Sequence, residues 1–250
     1  MGIVGGYVAD NILKRFVPRS YAHSNEISCK SIDTKLVGFF GTDFFEQIKG
    51  KVVIDFGCGR GFESVQMAKN GAQKVIGIDI QERLISEARE LAKVHDIADC
   101  CVFASRTKEK ADIIISKDAF EHFDHPDIIL NEMHKLLNPN GYVLASFGPT
   151  WLHPYGGHLF SVFPWSHLIF TERSLINWRS KFRSDGATCF REVDGGLNRM
   201  TIKKFKRIVD DSKFKCVNLE SIPIKSIKIL KSPLLNEFGS SIIRCKLVPQ

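Results

Sequence analysis

The run Val52-Val53-Ile54-Asp55-Phe56-Gly57-Cys58-Gly59-Arg60-Gly61, followed by Val75-Ile76-Gly77-Ile78-Asp79, constrains this chain more than any other stretch. A continuous apolar run ends in an acid, glycines then stand at alternate positions, and a helical pattern leads to a second apolar run ending in a second acid. That order is a buried strand, a tight turn, a helix and the next parallel strand. Glycine lets a ligand approach the backbone, and the helix N-terminus faces the same place. An acid closing the second strand stands where a carboxylate grips the two hydroxyls of a ribose.

Spacing narrows the ligand. A dinucleotide fingerprint needs G-x-G-x-x-G, but Phe62 occupies the third glycine position. The phosphate-loop pattern G-x-x-x-x-G-K-[ST] is absent. Asp55, just ahead of the glycines, repels a pyrophosphate and suits a ligand with a cationic end, such as the ammonium or sulfonium of S-adenosylmethionine (SAM). On Asp55 to Gly61 and on Asp79 the sequence resembles class I SAM-dependent methyltransferases, matching their first motif and their ribose-binding acid.

Apolar runs and helical patterns then alternate. Strands are expected over 51–56, 74–79, 100–104, 112–116 and 142–147, and helices over 62–69, 81–95 and from Pro126 on. Asn138-Pro139-Asn140-Gly141 reads as a turn before the fifth strand. Two more strands are expected at 214–222 and 240–248. Continuous apolar strands between helices mean a parallel sheet covered on both faces.

The segment Ser116-Lys117-Asp118-Ala119-Phe120-Glu121-His122-Phe123-Asp124-His125-Pro126 closes the fourth strand, where open α/β sheets bind ligands. It resembles the Glu-His fourth motif of the ubiquinone/menaquinone-type (methyltransferase type 11-like) small-molecule methyltransferases. Leu136-Leu137-Asn138-Pro139-Asn140-Gly141 matches their turn before strand five. The resemblance covers about residues 50–147 and implies an α/β fold, a Rossmann-like seven-stranded, mostly parallel sheet with helices on both faces. The expected divisions are an N-terminal helical cap (1–50), the SAM-binding core (51–147), a lid insertion for substrate recognition (148–212) and the closing strands of the core (213–250), one of them antiparallel.

Site roles follow from the resemblance. Asp55 and the Gly57, Cys58, Gly59 and Gly61 backbone should face the methionine portion of SAM, with Cys58 a small packing residue. Asp79 should hold the ribose hydroxyls, with Ile80 against the adenine. Lys117 and Asp118 should lie near the methionine end. The family's acid after strand three is missing from Phe103-Ala104-Ser105-Arg106, so Ser105 or a backbone carbonyl takes the adenine contact.

The segment Gly141 to Thr171 contains no Asp, Glu, Lys or Arg. Pro149, Pro154 and Pro164 exclude a membrane span there, so it reads as a lid or pocket wall, with a membrane-touching loop the minor alternative. Its aromatic residues Trp151, Tyr155, Phe160, Phe163, Trp165 and Phe170 point to an apolar, aromatic, lipid-like or glycosylated acceptor. Methyl transfer from SAM depends on alignment, plus a base when the acceptor is a hydroxyl or carbon acid. His153 and His158 are the candidates for base or substrate orientation, with His122 the family-position alternative. No metal site is assigned, because His153, His158 and a carboxylate such as Glu121 lack the spacing of a known ligand signature. Arg173, Arg179 and Arg183 fall on a helix expected over Thr171 to Arg183, as a solvated face.

With 250 residues, 44% hydrophobic and 25% charged, the chain is ordinary globular protein. Seven cysteines without framework spacing fit a reduced, cytoplasmic compartment. The N-terminus lacks the pattern of a signal peptide. A net charge of +7, concentrated after Arg199, permits an anionic partner, but no RNA-module signature accompanies it. The reading is a SAM-dependent methyltransferase acting on a small-molecule acceptor at O, N or C. Its alternatives are a nucleic-acid methyltransferase, a SAM-using enzyme of another, metal-assisted reaction type, and a non-catalytic SAM-binding protein.

Overall fold

The computed structural model describes residues 2–16, 29–193, 195–224, 232 and 235–250, with side chains of the helix starting at Cys29 described from Lys35 onward. Three helices, α1 (Gly6–Leu13), α2 (Cys29–Phe40) and α3 (Phe44–Ile48), precede β1 (Val52–Phe56). Alternation then runs through α4 (Phe62–Lys69), β2 (Lys74–Ile78), α5 (Glu82–Val94), β3 (Cys101–Ala104), β4 (Ala111–Lys117), α6 (Pro126–Leu136) and β5 (Leu137–Phe147). The insertion carries α7 (Ser166–Ile169) and α8 (Glu172–Arg179); α9 (Ile202–Asp210), β6 (Phe214–Pro223), α10 (Asn236–Gly239) and β7 (Ser240–Pro249) complete the chain.

The strands form one sheet in the order β3-β2-β1-β4-β5-β7-β6. The first five are parallel, and β7 runs antiparallel to both neighbours. Connections leave β1 toward β2 and β3, then cross back to β4, so the chain reverses its winding direction between β1 and β4. Such a switch point opens a crevice at the carboxyl ends of the strands.

Alternation along each strand sorts the core into two layers. On one face Ile54, Ile76, Ile114 and Val143 pack with Leu130 and Met133 of α6 and with Phe205 and Val209 of α9. On the other, Val53, Val75, Ile113 and Leu144 meet Leu36, Phe44, Val65, Ile85 and Ala88 from α2 to α5. Helix α9 therefore belongs to the sheet, although its sequence sits in the stretch read as lid. Its apolar residues face inward, and Lys203, Lys206 and Arg207 stay at the surface as a solvated face. Of the basic residues expected further on, Lys225, Lys228 and Lys231 lie outside the described residues.

The insertion has its own core. Phe160, Phe170, Leu175, Ile176, Trp178 and Phe190 pack with Ala9 and Leu13 of α1. Val4 bridges to Phe170, and Trp178 Nε1 donates to the Phe16 carbonyl at 3.0 Å. The N-terminal preface thus splits: α1 packs on the insertion, while α2 and α3 pack on the sheet.

Two sequence expectations change in detail. The turn expected at Asn138–Gly141 lies inside β5: Leu137 already pairs with Ala111, and a register shift before Ile113 absorbs the extra residues, with Asn140 at φ +67°. The helix expected over Thr171 to Arg183 ends at Arg179, whose guanidinium turns inward to Asp185. Among the described residues no helix is long and apolar enough to cross a membrane.

Candidate functional site

The loop between β1 and α4 turns through three left-handed glycines, Gly57 (φ +87°), Gly59 (φ +52°) and Gly61 (φ +77°), where L side chains are strained. Gly61 is required twice over, since a Cβ there would stand 2.7 Å from Ala88 and from the Phe103 ring. Gly59 has the opposite surroundings: nothing lies within 4 Å of an added Cβ, so its backbone faces open space. Gly57 and Cys58 donate their N–H groups to the Ile78 carbonyl at 2.8 and 3.0 Å, tying the loop to the end of β2.

Asp79 completes the cradle. Its Oδ2 accepts from Gly59 N and its Oδ1 from Gln81 N, both at 2.9 Å. A carboxylate has about four lone-pair sites, so capacity remains for two ligand hydroxyls.

Asp55 is placed differently from the expectation that it faces the ligand. It is 3% exposed beneath the loop and accepts from Ser64 Oγ at 2.6 Å, binding β1 to α4. Burial raises its carboxyl from 3.8 to about 7. The folded chain therefore keeps a proton that the unfolded chain releases near 3.8. Stability from this group is complete below 3.8 and is lost as pH climbs to about 7. Asp55→Asn is expected to flatten that fall in unfolding free energy, read from urea melts across the window. A slope equal to wild type would assign the pH dependence elsewhere.

A cavity of about 680 Å³ opens at the switch point, with Phe56, Gly57, Asp79, Ile80, Asp118 and Phe123 in its wall. Ile80 is 92% exposed, an apolar side chain offered to a planar ligand. Cys58 is buried and its thiol is pushed up by burial, consistent with packing. Lys117 points the other way, its Nζ held by Glu63 at 3.2 Å and Asp118 at 2.8 Å over the Phe39 ring. Ser105 is exposed and outside the cavity wall.

A second cavity of about 730 Å³ adjoins the first and runs beneath the insertion. His122, Val193 and Gly196 line both. His122 Nδ1 donates to the Gly196 carbonyl at 2.8 Å, so the neutral form of this ring carries its proton on Nδ1. His158 lines the second cavity, with its ring edge-on to His122 at 5.3 Å between centroids. Burial lowers its pKa to about 4, so it is neutral at physiological pH. Glu121 lies next to His122, 2% exposed, its Oε1 accepting from Gly148 N at 3.0 Å; burial raises its carboxyl to about 8.

The other insertion histidines are structurally engaged. His153 lines neither cavity; its Nδ1 accepts from Tyr155 N at 3.0 Å, and burial lowers its pKa to about 4. His167 donates from Nε2 to the Trp151 carbonyl at 2.7 Å and accepts at Nδ1 from Ser161 Oγ at 2.9 Å. Among the six insertion aromatics expected to line an acceptor site, only Phe160 reaches either cavity. Phe163 and Phe170 fill the insertion's own core, and Tyr155 and Trp165 lie exposed.

Sequence reading singled out no site residue in the later part of the insertion. Arg191, Val193, Gly195 and Gly196 form an outer wall of the first cavity. The Gly195-Gly196 pair was the available signal: both have positive φ, and a Cβ on Gly196 would meet the His122 carbonyl at 2.9 Å.

Residues 47–153 match the family profile described as a methyltransferase domain. The chain is 30% identical over 194 residues to a "Probable protein arginine N-methyltransferase 6.1" of Oryza sativa subsp. indica, covering 71% of this chain and 50% of that protein. It is 32% identical over 111 residues to a ubiquinone biosynthesis O-methyltransferase of Neisseria meningitidis serogroup C, covering 42% and 47%. The chain thus spans about half the length of the curated relatives it matches. The solved structure of magnesium protoporphyrin IX methyltransferase from Synechocystis PCC 6803, with bound S-adenosylhomocysteine, superposes with a TM-score of 0.54 at 15% identity, over 97% of this chain and 100% of that one. The glycine cradle, the acid closing β2, the strand order and the match over residues 47–153 together support a class I SAM-dependent methyltransferase domain with SAM as its cofactor.

Proposed function

We propose that the protein moves the methyl group of SAM to a small-molecule acceptor held in the cavity beneath the insertion. The observation that carries this reading is the shared wall: His122 faces both cavities with its tautomer fixed by the Gly196 carbonyl. The 680 Å³ cavity fits the cofactor by chemistry, with glycine backbone at Gly57, an acceptor carboxylate at Asp79 and an apolar face at Ile80. SAM, when bound, supplies a methyl group already activated on a cationic sulfur. The chain's own work is then to align, to exclude water and to manage one proton. His122 Nε2 takes that proton from an acceptor hydroxyl, a role suited to imidazole near neutral pH. Val193 and Gly196 fix where the two ligands meet.

The rice relative, matched over 71% of this chain, favours a second reading in which the acceptor is a protein side chain. Calorimetric titration with SAM and S-adenosylhomocysteine, followed by assay of S-adenosylhomocysteine release over quinol, phenol, tetrapyrrole and arginine-peptide acceptors, tests both. Release with small acceptors alone supports the first reading, and release with peptides alone supports the second. A folded protein that binds neither SAM nor its product overturns both. Asp79→Ala is expected to weaken SAM binding by about 1–3 kcal/mol through lost charge-assisted hydrogen bonds. Unchanged affinity in the same titration would move the ribose contact elsewhere.

A further inference from the structure

Glu121, His122 and His158 meet at the wall between the cavities, each with a ligand atom within 4.8 Å of the others'. Three local facts make this more than a crowded corner. Among the described residues, the buried Glu121 Oε2 and His158 Nε2 have no hydrogen-bond partner. A native interior rarely leaves such groups unpaired without a reason. His122 Nδ1 is committed to the Gly196 carbonyl, the arrangement that orients a metal-bound imidazole and raises its basicity. His158 is held at φ +50°, sparsely populated for a residue with a side chain.

Two imidazoles and one carboxylate are the donor set of a borderline divalent transition ion with an open position. We propose that Glu121 Oε2, His122 Nε2 and His158 Nε2 bind one divalent ion of the zinc class, its open position facing the cavities. Ligand bonds of about 2.0–2.2 Å require the three atoms to draw in by small side-chain rotations. The ligands come from two elements: the segment after β4 brings Glu121 and His122, and the insertion brings His158. The ion therefore pins the insertion to the sheet. His153, which stands close to His158 in the sequence, is not among the residues whose ligand atoms come together, and its Nδ1 accepts from Tyr155 N.

Binding of the ion does not depend on the methyl-transfer reading, but it changes one assignment within it. With the ion bound, His122 Nε2 is a ligand and cannot also accept a proton. An acceptor hydroxyl at the open position is then acidified by coordination: its O–H bond breaks, the oxygen keeps the electron pair, and the proton passes to solvent.

Chelator-stripped full chain is titrated with Co²⁺ and Zn²⁺, with metal content by mass spectrometry and the Co²⁺ visible spectrum as readouts. One ion per chain with nitrogen and oxygen ligation is expected. Glu121→Gln and His158→Gln are each expected to weaken binding at least tenfold, with His153→Gln equal to wild type. A thiolate-to-cobalt band, no stoichiometric uptake, or undiminished affinity in both variants overturns the site. The wild-type spectrum decides the matter even if a variant fails to fold. SAM is titrated separately into the ion-free protein, so failure of the metal site and failure of the methyltransferase reading give different results.

Discussion

His122→Ala is expected to lower S-adenosylhomocysteine release by about 10²–10⁴-fold, the range for removal of a positioned acid–base group, while SAM affinity changes far less. The expectation rests on position. His122 stands in the wall common to both cavities, and the Gly196 carbonyl holds Nδ1–H so that Nε2 is the atom presented. His122→Gln keeps polarity at that point but not the imidazole proton chemistry, so it should be nearly as impaired. The measurement is initial rate against pH, with whichever acceptor the wild type turns over. Loss confined to KM for the acceptor, with kcat intact, would make His122 a positioning residue. Full activity in both variants would remove it from the site.

Phe120→Ala is expected to cost about 3–5 kcal/mol of folding stability, as for other buried phenylalanines cut to a methyl group. Phe120 is fully buried and packs edge-on against Phe123 and Phe205, both at 5.2 Å, with Phe147 at 6.5 Å. One ring thus joins the segment after β4, helix α9 and strand β5. For a chain of this size the loss corresponds to a fall in melting temperature of roughly 6–20 °C. Scanning calorimetry reads it directly. Phe120→Leu, which keeps most of the volume, should lose much less. Equal losses in both would point to the ring geometry rather than to the cavity. Because Glu121 and His122 follow Phe120 directly, the alanine variant should also lose catalytic rate before it unfolds.

The sheet was legible because its information is local. Five apolar runs separated by helical periodicity give parallel strands, and alternate glycines before Phe62 give the cradle. Legibility failed where a residue's partner is distant in the chain. The uncharged stretch around Trp151 to Phe170 reads as a pocket wall, yet much of it packs on α1, more than 130 residues earlier. Nothing in the stretch itself announces that partner. Asp55 looks like a ligand contact by its place in the motif, but Ser64 one helical turn into α4 claims its carboxylate. His153 and His158 are equivalent by sequence. The Tyr155 amide, two residues away, occupies the first, and the second is left facing a cavity. Glu121 entered the reading only as a generic carboxylate, because burial and an unpaired oxygen have no one-dimensional signature.

The partition formed by His122, Val193 and Gly196 belongs to two chambers at once. On the proposed reading, cofactor and acceptor touch the same three residues, so a shift of that wall by one is felt by the other. The linkage is reciprocal: the factor by which cofactor tightens acceptor equals the factor by which acceptor tightens cofactor. A side chain at Gly196, whose Cβ would stand 2.9 Å from the His122 carbonyl, would shift that shared wall and alter both dissociation constants.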